Sequence, residues 1–275
     1  MSLKDARVLL TGASGFIGSR VALALDAAGA ATTVLARASS RGGRQPRVIA
    51  DMGDPASLAA AVASADPEYV LHLAKDREAG GFEAQARATT GLAAALSAGA
   101  PNLKRWVRTA HAGGARGADE LLAKTLASRR GISVVTLELF LVYGPGQRRS
   151  DFPLDLLDAA LSGGRWEAPE QEKDLVFVDD VARAYLLAAE CPKADGAWIS
   201  IGGGRLVTGY EAVQAVAKAA GVRCPDEVRT VGGRRPPSHP APLVRARELL
   251  GWEPRVSLDE GLGKLVQWRR EHLRD

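Results

Sequence analysis

One short segment constrains this chain more than any other. The apolar run Arg7–Leu10 passes straight into Thr11-Gly12-Ala13-Ser14-Gly15-Phe16-Ile17-Gly18, and a helical stretch from Ile17 to Ala28 follows. A strand, a glycine loop and a helix in that order bring the helix N–H groups and the positive end of its dipole to the loop. Gly12 permits the tight turn, Gly15 lets the main chain approach a pyrophosphate, and Gly18 lets helix and strand pack closely. Ser14, Phe16 and Ile17 complete the loop around the anion. The pattern predicts a dinucleotide site; a glycine-rich turn without ligand is the alternative.

The chain continues as repeated strand and helix. Strands are expected at Ala31–Ala36, Arg47–Ala50, Tyr69–Ala74, Trp106–Thr109 and Ser133–Leu137, with helices at Pro55–Ser64 and about Phe82–Ala98. Nearly continuous apolar runs suit strands buried on both faces. Their alternation with helices predicts an α/β fold, a Rossmann-type doubly wound parallel sheet with a smaller C-terminal substrate-side lobe. Residues 1–146 read as the NAD(P)-binding domain. Beyond Tyr143-Gly144-Pro145-Gly146 the alternation becomes irregular, with Gly and Pro clusters at 163–164, 202–204 and 232–237. Residues 147–275 therefore read mainly as the substrate-side lobe, with segments around 174–190 and 198–204 returning to the Rossmann core. A strand at Leu175–Val178 should lead into a helix from Asp179 or Asp180, and an amphipathic helix should run from Ser257 to about Leu273.

Sites that take NAD usually place an acid at the end of the second strand for the ribose 2′-hydroxyl. Here Ala36 is followed by Arg37, with Arg41 and Arg44 nearby. A guanidinium is a bidentate partner for phosphate, so NADP is the expected cofactor and NAD the alternative. The formal net charge is +4, but the basic residues are interleaved with acids, which argues against a specific nucleic-acid partner. Cys191 and Cys224 suggest neither a disulfide framework nor a metal cluster. No segment reaches membrane-span length and no signal-peptide apolar region opens the chain, so a cytoplasmic protein without a membrane role is expected.

Further segments match in order: Asp51-Met52, Val70-Leu71-His72-Leu73-Ala74, Leu139 to Gly146, Asp174 to Ala182, Ile199 to Gly204, and Leu249 to Pro254. With the glycine loop, this series resembles an extended short-chain dehydrogenase/reductase of the NAD-dependent epimerase/dehydratase family, over nearly the whole chain. The resemblance implies that Asp51 and Met52 flank the adenine, and that Leu73 and Ala74 pass close to the pyrophosphate and ribose. Leu73 and Ala74 would be buried in any such core, so only Asp51 adds an independent polar argument. Lys75 stands where a small residue is usual, and would either meet a phosphate or crowd the site. The family also implies a small-molecule substrate and a homodimer through paired long helices; the alternative is that those apolar helices pack inside a monomer.

Such enzymes use a Ser or Thr after the fifth strand, then a Tyr and a Lys one helical turn apart. The ammonium lowers the phenol's pKa and lets it exchange a proton. This chain reads Thr109-Ala110-His111-Ala112-Gly113-Gly114-Ala115-Arg116 and lacks both that Tyr and the long loop before it. Either Ala112 and Arg116 occupy the Tyr and Lys places, or Glu120 and Lys124 do. The first register is preferred, because Gly117-Ala118-Asp119-Glu120-Leu121-Leu122 resembles the helix just beyond the family's lysine.

His111 stands at the Ser/Thr place, and imidazole exchanges protons near neutral pH, so it is the remaining general acid/base candidate. A polar contact at a strand end is the alternative. Arg116 stays protonated and could bind an anion or orient cofactor hydroxyls. Lys124 is catalytic only in the second register. Tyr143 belongs to the exit of the sixth strand, where an aromatic usually packs. The substrate side departs further: Leu141 stands for Asn, Phe177 for His and Glu138 for Arg. Lys173, Arg234 and Arg235 are candidates for meeting an anionic substrate. Two functions follow. One is an atypical NAD(P)-dependent oxidoreductase or epimerase/dehydratase-like enzyme acting on a carbonyl, alcohol or nucleotide sugar. The other is a noncatalytic NADP-binding sensor or partner protein.

Overall fold

The apolar runs become strands, and polar or glycine residues punctuate them. The computed structural model describes residues 2–39, 44–74, 82–112, 125, 132–148, 150–232 and 239–272, with backbone alone for 82–87. The strands are β1 (Arg7–Thr11), β2 (Ala31–Ala36), β3 (Arg47–Ile49), β4 (Tyr69–His72), β5 (Arg105–His111), β6 (Ser133–Leu139), β7 (Leu141–Tyr143), β8 (Glu167–Pro169), β9 (Leu175–Phe177), β10 (Trp198–Ile201) and β11 (Arg229–Val231). The helices are α1 (Phe16–Ala27), α2 (Pro55–Ala65), α3 (Phe82–Gly99), α4 (Leu154–Ser162), α5 (Val178–Glu190), α6 (Gly209–Ala220), α7 (Val244–Leu250) and α8 (Leu258–Glu271).

Chain contacts divide the protein into two units. The first comprises Met1–Glu138, Ala182–Ile199 and Glu248–Trp252, the second Leu139–Val181, Ser200–Arg247 and Glu253–Asp275. A seven-stranded parallel sheet runs in the order β3-β2-β1-β4-β5-β6-β10. The Rossmann-type expectation is borne out. The strand order reverses between β1 and β4, and the crevice outside the carboxyl ends at such a reversal is where α/β sheets bind ligands.

One face of the sheet carries Leu9, Leu35, Val70, Trp106 and Val134, closed by Leu58 and Val62 of α2 and Leu92 and Leu96 of α3. Asp54 starts α2 by accepting Ala56 N–H at 3.0 Å, and Pro55, which has no N–H to satisfy, occupies the first turn. Right-handed crossovers place α1 on the opposite face.

Several boundaries differ from expectation, among them those of β4, β5 and α5. β4 stops at His72 rather than Ala74: the Thr11 carbonyl still takes Leu73 N–H at 3.2 Å as a ladder bond, and Ala74 N–H then turns to Thr11 Oγ1 at 3.1 Å. β5 runs on to His111, past the expected end at Thr109. α5 begins at Val178, directly after Phe177, one or two residues before the expected helix start at Asp179 or Asp180.

Arg105, 4% exposed, fastens the first unit. It donates to Ala189 O at 2.8 Å and Ala188 O at 3.3 Å in the last turn of α5, and to Ser133 Oγ at 2.9 Å, and it pairs with Asp195. A cation there satisfies end carbonyls and complements the helix dipole.

In the second unit β7 pairs with β9 and β8 with β11, all parallel. Asp174 accepts backbone N–H groups from Gly203, from Gly204 at 3.0 Å and from Ala241 at 2.8 Å. Asp180 Oδ2 accepts from Arg255 and Val256, each at 2.9 Å. Thr208 and Glu211 form a reciprocal capping box on α6, and Ser257 caps α8. Buried Arg269 joins α8 to Asp158 of α4 at 2.5 Å. Among the described residues no helix is long and apolar enough to cross a membrane.

Arg105→Met should cost about 2–4 kcal/mol, since it leaves end carbonyls of α5 without their buried donor. Urea denaturation checks this; an unchanged midpoint would show that the cation contributes nothing net.

Candidate cofactor site

The glycine loop is shaped by its own backbone. Gly12 has φ +77°, and a Cβ there would lie 2.7 Å from Ala74 N and from the Leu73 carbonyl carbon. The exits of β1 and β4 thus touch main chain to main chain. A Cβ on Gly18 would lie 2.0 Å from Gly12 O, so the third glycine lets the first turn of α1 sit on the loop. Gly15 differs: its φ is −85°, and its Cβ would meet only Gly12 O, at 3.2 Å. Gly12 and Gly18 are needed by the fold itself, whereas Gly15 leaves space beside the loop.

No side chain caps α1 and no acid occupies its first turn. Its leading amides and dipole therefore present an anion-ready end, with Ser14 exposed and Phe16 and Ile17 half-buried beside it.

The other described candidates gather along the carboxyl edge of the same sheet. Ala36 pairs with Ile49, so Arg37 and Asp51 follow neighbouring strand ends, and both are exposed. The Asp51 carboxylate accepts Gly53 N–H at 2.8 Å, which shapes the turn into α2. Met52 packs half-buried against the core. Leu73 and Ala74 are half-buried at the β4 exit, and His111 is exposed as the last residue of β5. Lys75, Arg116, Lys124, Arg41, Glu120, Arg234 and Arg235 lie outside the described residues. In the second unit, Lys173 bridges backbone to backbone with Val207.

Sequence reasoning missed a buried polar network behind this edge. His72, 3% exposed, places Nδ1 at 2.8 Å from Thr11 Oγ1 and Nε2 at 3.5 Å from Thr89 Oγ1. Burial, reinforced by the charge of its β5 register partner Arg108, pushes the His72 pKa down to about 3. Thr109 Oγ1 donates to the His72 carbonyl at 2.8 Å and meets Tyr185 Oη at 2.5 Å. The available signal was a histidine inside an apolar strand and a threonine just before the glycine loop.

The chain has four tyrosines. Tyr69, Tyr143 and Tyr185 are buried, and Tyr210 is exposed on α6. Tyr143 stacks edge-on against Phe177 at 5.6 Å, and a Cβ on Gly261 would come within 2.1 Å of its hydroxyl, so Tyr143 is a packing residue. Burial raises its phenol pKa further.

The model of the NAD dependent epimerase/dehydratase family matches residues 8–112 and 115–202. The chain belongs to this family. It is 29% identical to the UDP-glucose 4-epimerase of Mycolicibacterium smegmatis, over 96% of this chain and 98% of that one. Among solved structures, MoeE5 in complex with UDP-glucose and NAD is 29% identical, with a TM-score of 0.82 and coverage of 97% and 99%. The UDP-glucose 4-epimerase of Thermotoga maritima with UDP-glucose superposes with a TM-score of 0.85 at 24% identity, covering 97% and 99%. In this epimerase/dehydratase-family chain, the match breaks between residues 112 and 115, just after β5.

Two outcomes follow. Gly18→Ala should lose roughly 2–3 kcal/mol of stability and Gly15→Ala less than about 1 kcal/mol, because only the first drives a methyl into backbone. Equal losses in chemical denaturation would contradict this division. For His72 the folded pKa lies below the unfolded value of 6.5. Its contribution is therefore complete above pH 6.5 and is lost as pH falls toward about 3, at about 1.4 kcal/mol per pH unit from this one proton. Urea midpoints across that window should fall less steeply in His72→Asn; parallel slopes would exclude His72 as the source.

Proposed function

We propose that this protein binds a nicotinamide dinucleotide at the carboxyl edge of its sheet and prefers NADP. The observation that carries the reading is the backbone-built loop Gly12–Gly18, opening onto an uncapped helix end at the reversal of strand order. In this reading the first-turn amides of α1 and Ser14 hold the pyrophosphate, with Phe16 and Ile17 beside it, and Leu73 and Ala74 line its far side. Asp51 and Met52 border the adenine. Arg37, exposed after Ala36, meets a 2′-phosphate where an acid would favour a hydroxyl. Lys75 adds a cation near the phosphates. The NAD bound by MoeE5 supports the cofactor class.

The activity we assign is that of an atypical epimerase/dehydratase-type oxidoreductase acting on a small-molecule carbonyl, alcohol or nucleotide sugar. The substrates of the similar proteins favour nucleotide sugars. A bound nicotinamide would supply hydride chemistry. Proton exchange falls to His111 at the end of β5, because no tyrosine stands between Tyr69 and Tyr143. Arg116, permanently charged, orients cofactor hydroxyls or an anionic group; Lys124 takes that place if the second register holds.

The same missing phenol, with the break in the family match at that place, favours a second reading: a noncatalytic NADP-binding sensor or partner protein.

Calorimetric titration with NADPH and NADH separates these. NADPH should bind about tenfold more tightly, and Arg37→Ala should abolish the difference. Gly15→Ala should weaken both cofactors without unfolding the chain. Equal affinities would refute the NADP preference, and no binding would refute the cofactor site. Binding without turnover of nucleotide sugars or small carbonyls would favour the sensor.

A further inference from the structure

Residues 72–74 are gripped from both flanking strands by threonine hydroxyls. From β1, Thr11 takes Ala74 N–H at 3.1 Å. From β5, Thr109 Oγ1 lies 2.8 Å from His72 O and 2.5 Å from Tyr185 Oη. A carbonyl only accepts, so the single hydrogen of Thr109 points at His72 O and the Tyr185 hydroxyl must donate to Thr109. Tyr185 is fully buried on α5, and burial raises its phenol pKa, so it remains a donor wherever the fold persists. Packing alone would be met by phenylalanine with less desolvation. The phenolic oxygen instead orients a hydroxyl that holds the strand exit.

We propose that Thr109 and Tyr185 are positioning residues for the dinucleotide site. The relay from Tyr185 O–H to Thr109 O–H to the His72 carbonyl fixes the β4 exit, and with it the Leu73–Ala74 backbone that backs onto Gly12. This rests on the cofactor reading given above. Neither residue touches reacting atoms; each acts through the main chain of the loop's neighbour. Thr11 alone cannot do this, since it holds the amides of Leu73 and Ala74 but leaves the His72 carbonyl to the other side.

The test compares thermal melting with affinity for NADPH or NADH, whichever binds the unaltered protein more tightly. The variants are Thr109→Val, Thr109→Ser and the double variant Thr109→Val with Tyr185→Phe. Thr109→Val strands a buried phenol donor and should melt lowest. Removing both partners should recover most of that loss, because no orphaned donor remains. Positioning predicts that Kd rises roughly fivefold to tenfold in Thr109→Val and stays raised in the double variant despite its recovered melting temperature. Thr109→Ser, which keeps the hydroxyl, should bind as the unaltered protein does. Affinity that recovers together with melting temperature would reduce the relay to packing and overturn the proposal. Absence of binding by the unaltered protein would overturn the cofactor reading, and this inference with it. If Thr109→Val does not fold, the serine and double variants carry the same comparison.

Discussion

The close approach of Gly12 to the Leu73–Ala74 main chain is the contact on which the rest of the candidate site depends. It occurs where the strand order reverses, so the chain leaving β1 and the chain leaving β4 must share one small space. A side chain at position 12 would occupy it, and one at position 18 would push α1 off the loop. With both absent, the helix end faces outward beside the exits of β1 and β4. An anion there would meet amides and a dipole that need no rearrangement.

Behind that contact, polar side chains sit where strands usually carry only apolar ones. His72 remains neutral, bonded to Thr11 and close to Thr89, and its carbonyl is held by Thr109. A neutral imidazole can bond through both nitrogens without the cost of a buried charge. The carboxylates of the later motifs serve the fold in a different way. Asp174 and Asp180 each gather backbone amides from segments distant in sequence.

A phenol at the usual place is absent from the sequence, and the family match breaks where it would stand. Of the three buried tyrosines, Tyr143 is committed to packing and Tyr185 to Thr109. His111 lies exposed at the end of β5, and the proposed reading gives proton exchange to its imidazole.

Several features were legible in the linear chain because local chemistry dictates them. Positive φ at Gly12, the strand-loop-helix order, the absence of an acid after Ala36 and the absence of the phenol all lie within short segments. The apolar runs likewise announced a buried parallel sheet. Element ends were less legible: beyond His72 the Ala74 amide turns to the Thr11 hydroxyl, a side-chain acceptor invisible to periodicity. Tertiary structure alone decided which polar residues meet. Thr11, His72, Thr109 and Tyr185 come from three adjacent strands and a helix, separated by up to 174 positions between Thr11 and Tyr185. Hydrogen bonds act over about 3 Å, so only the folded register of β1, β4 and β5 could bring them into one network.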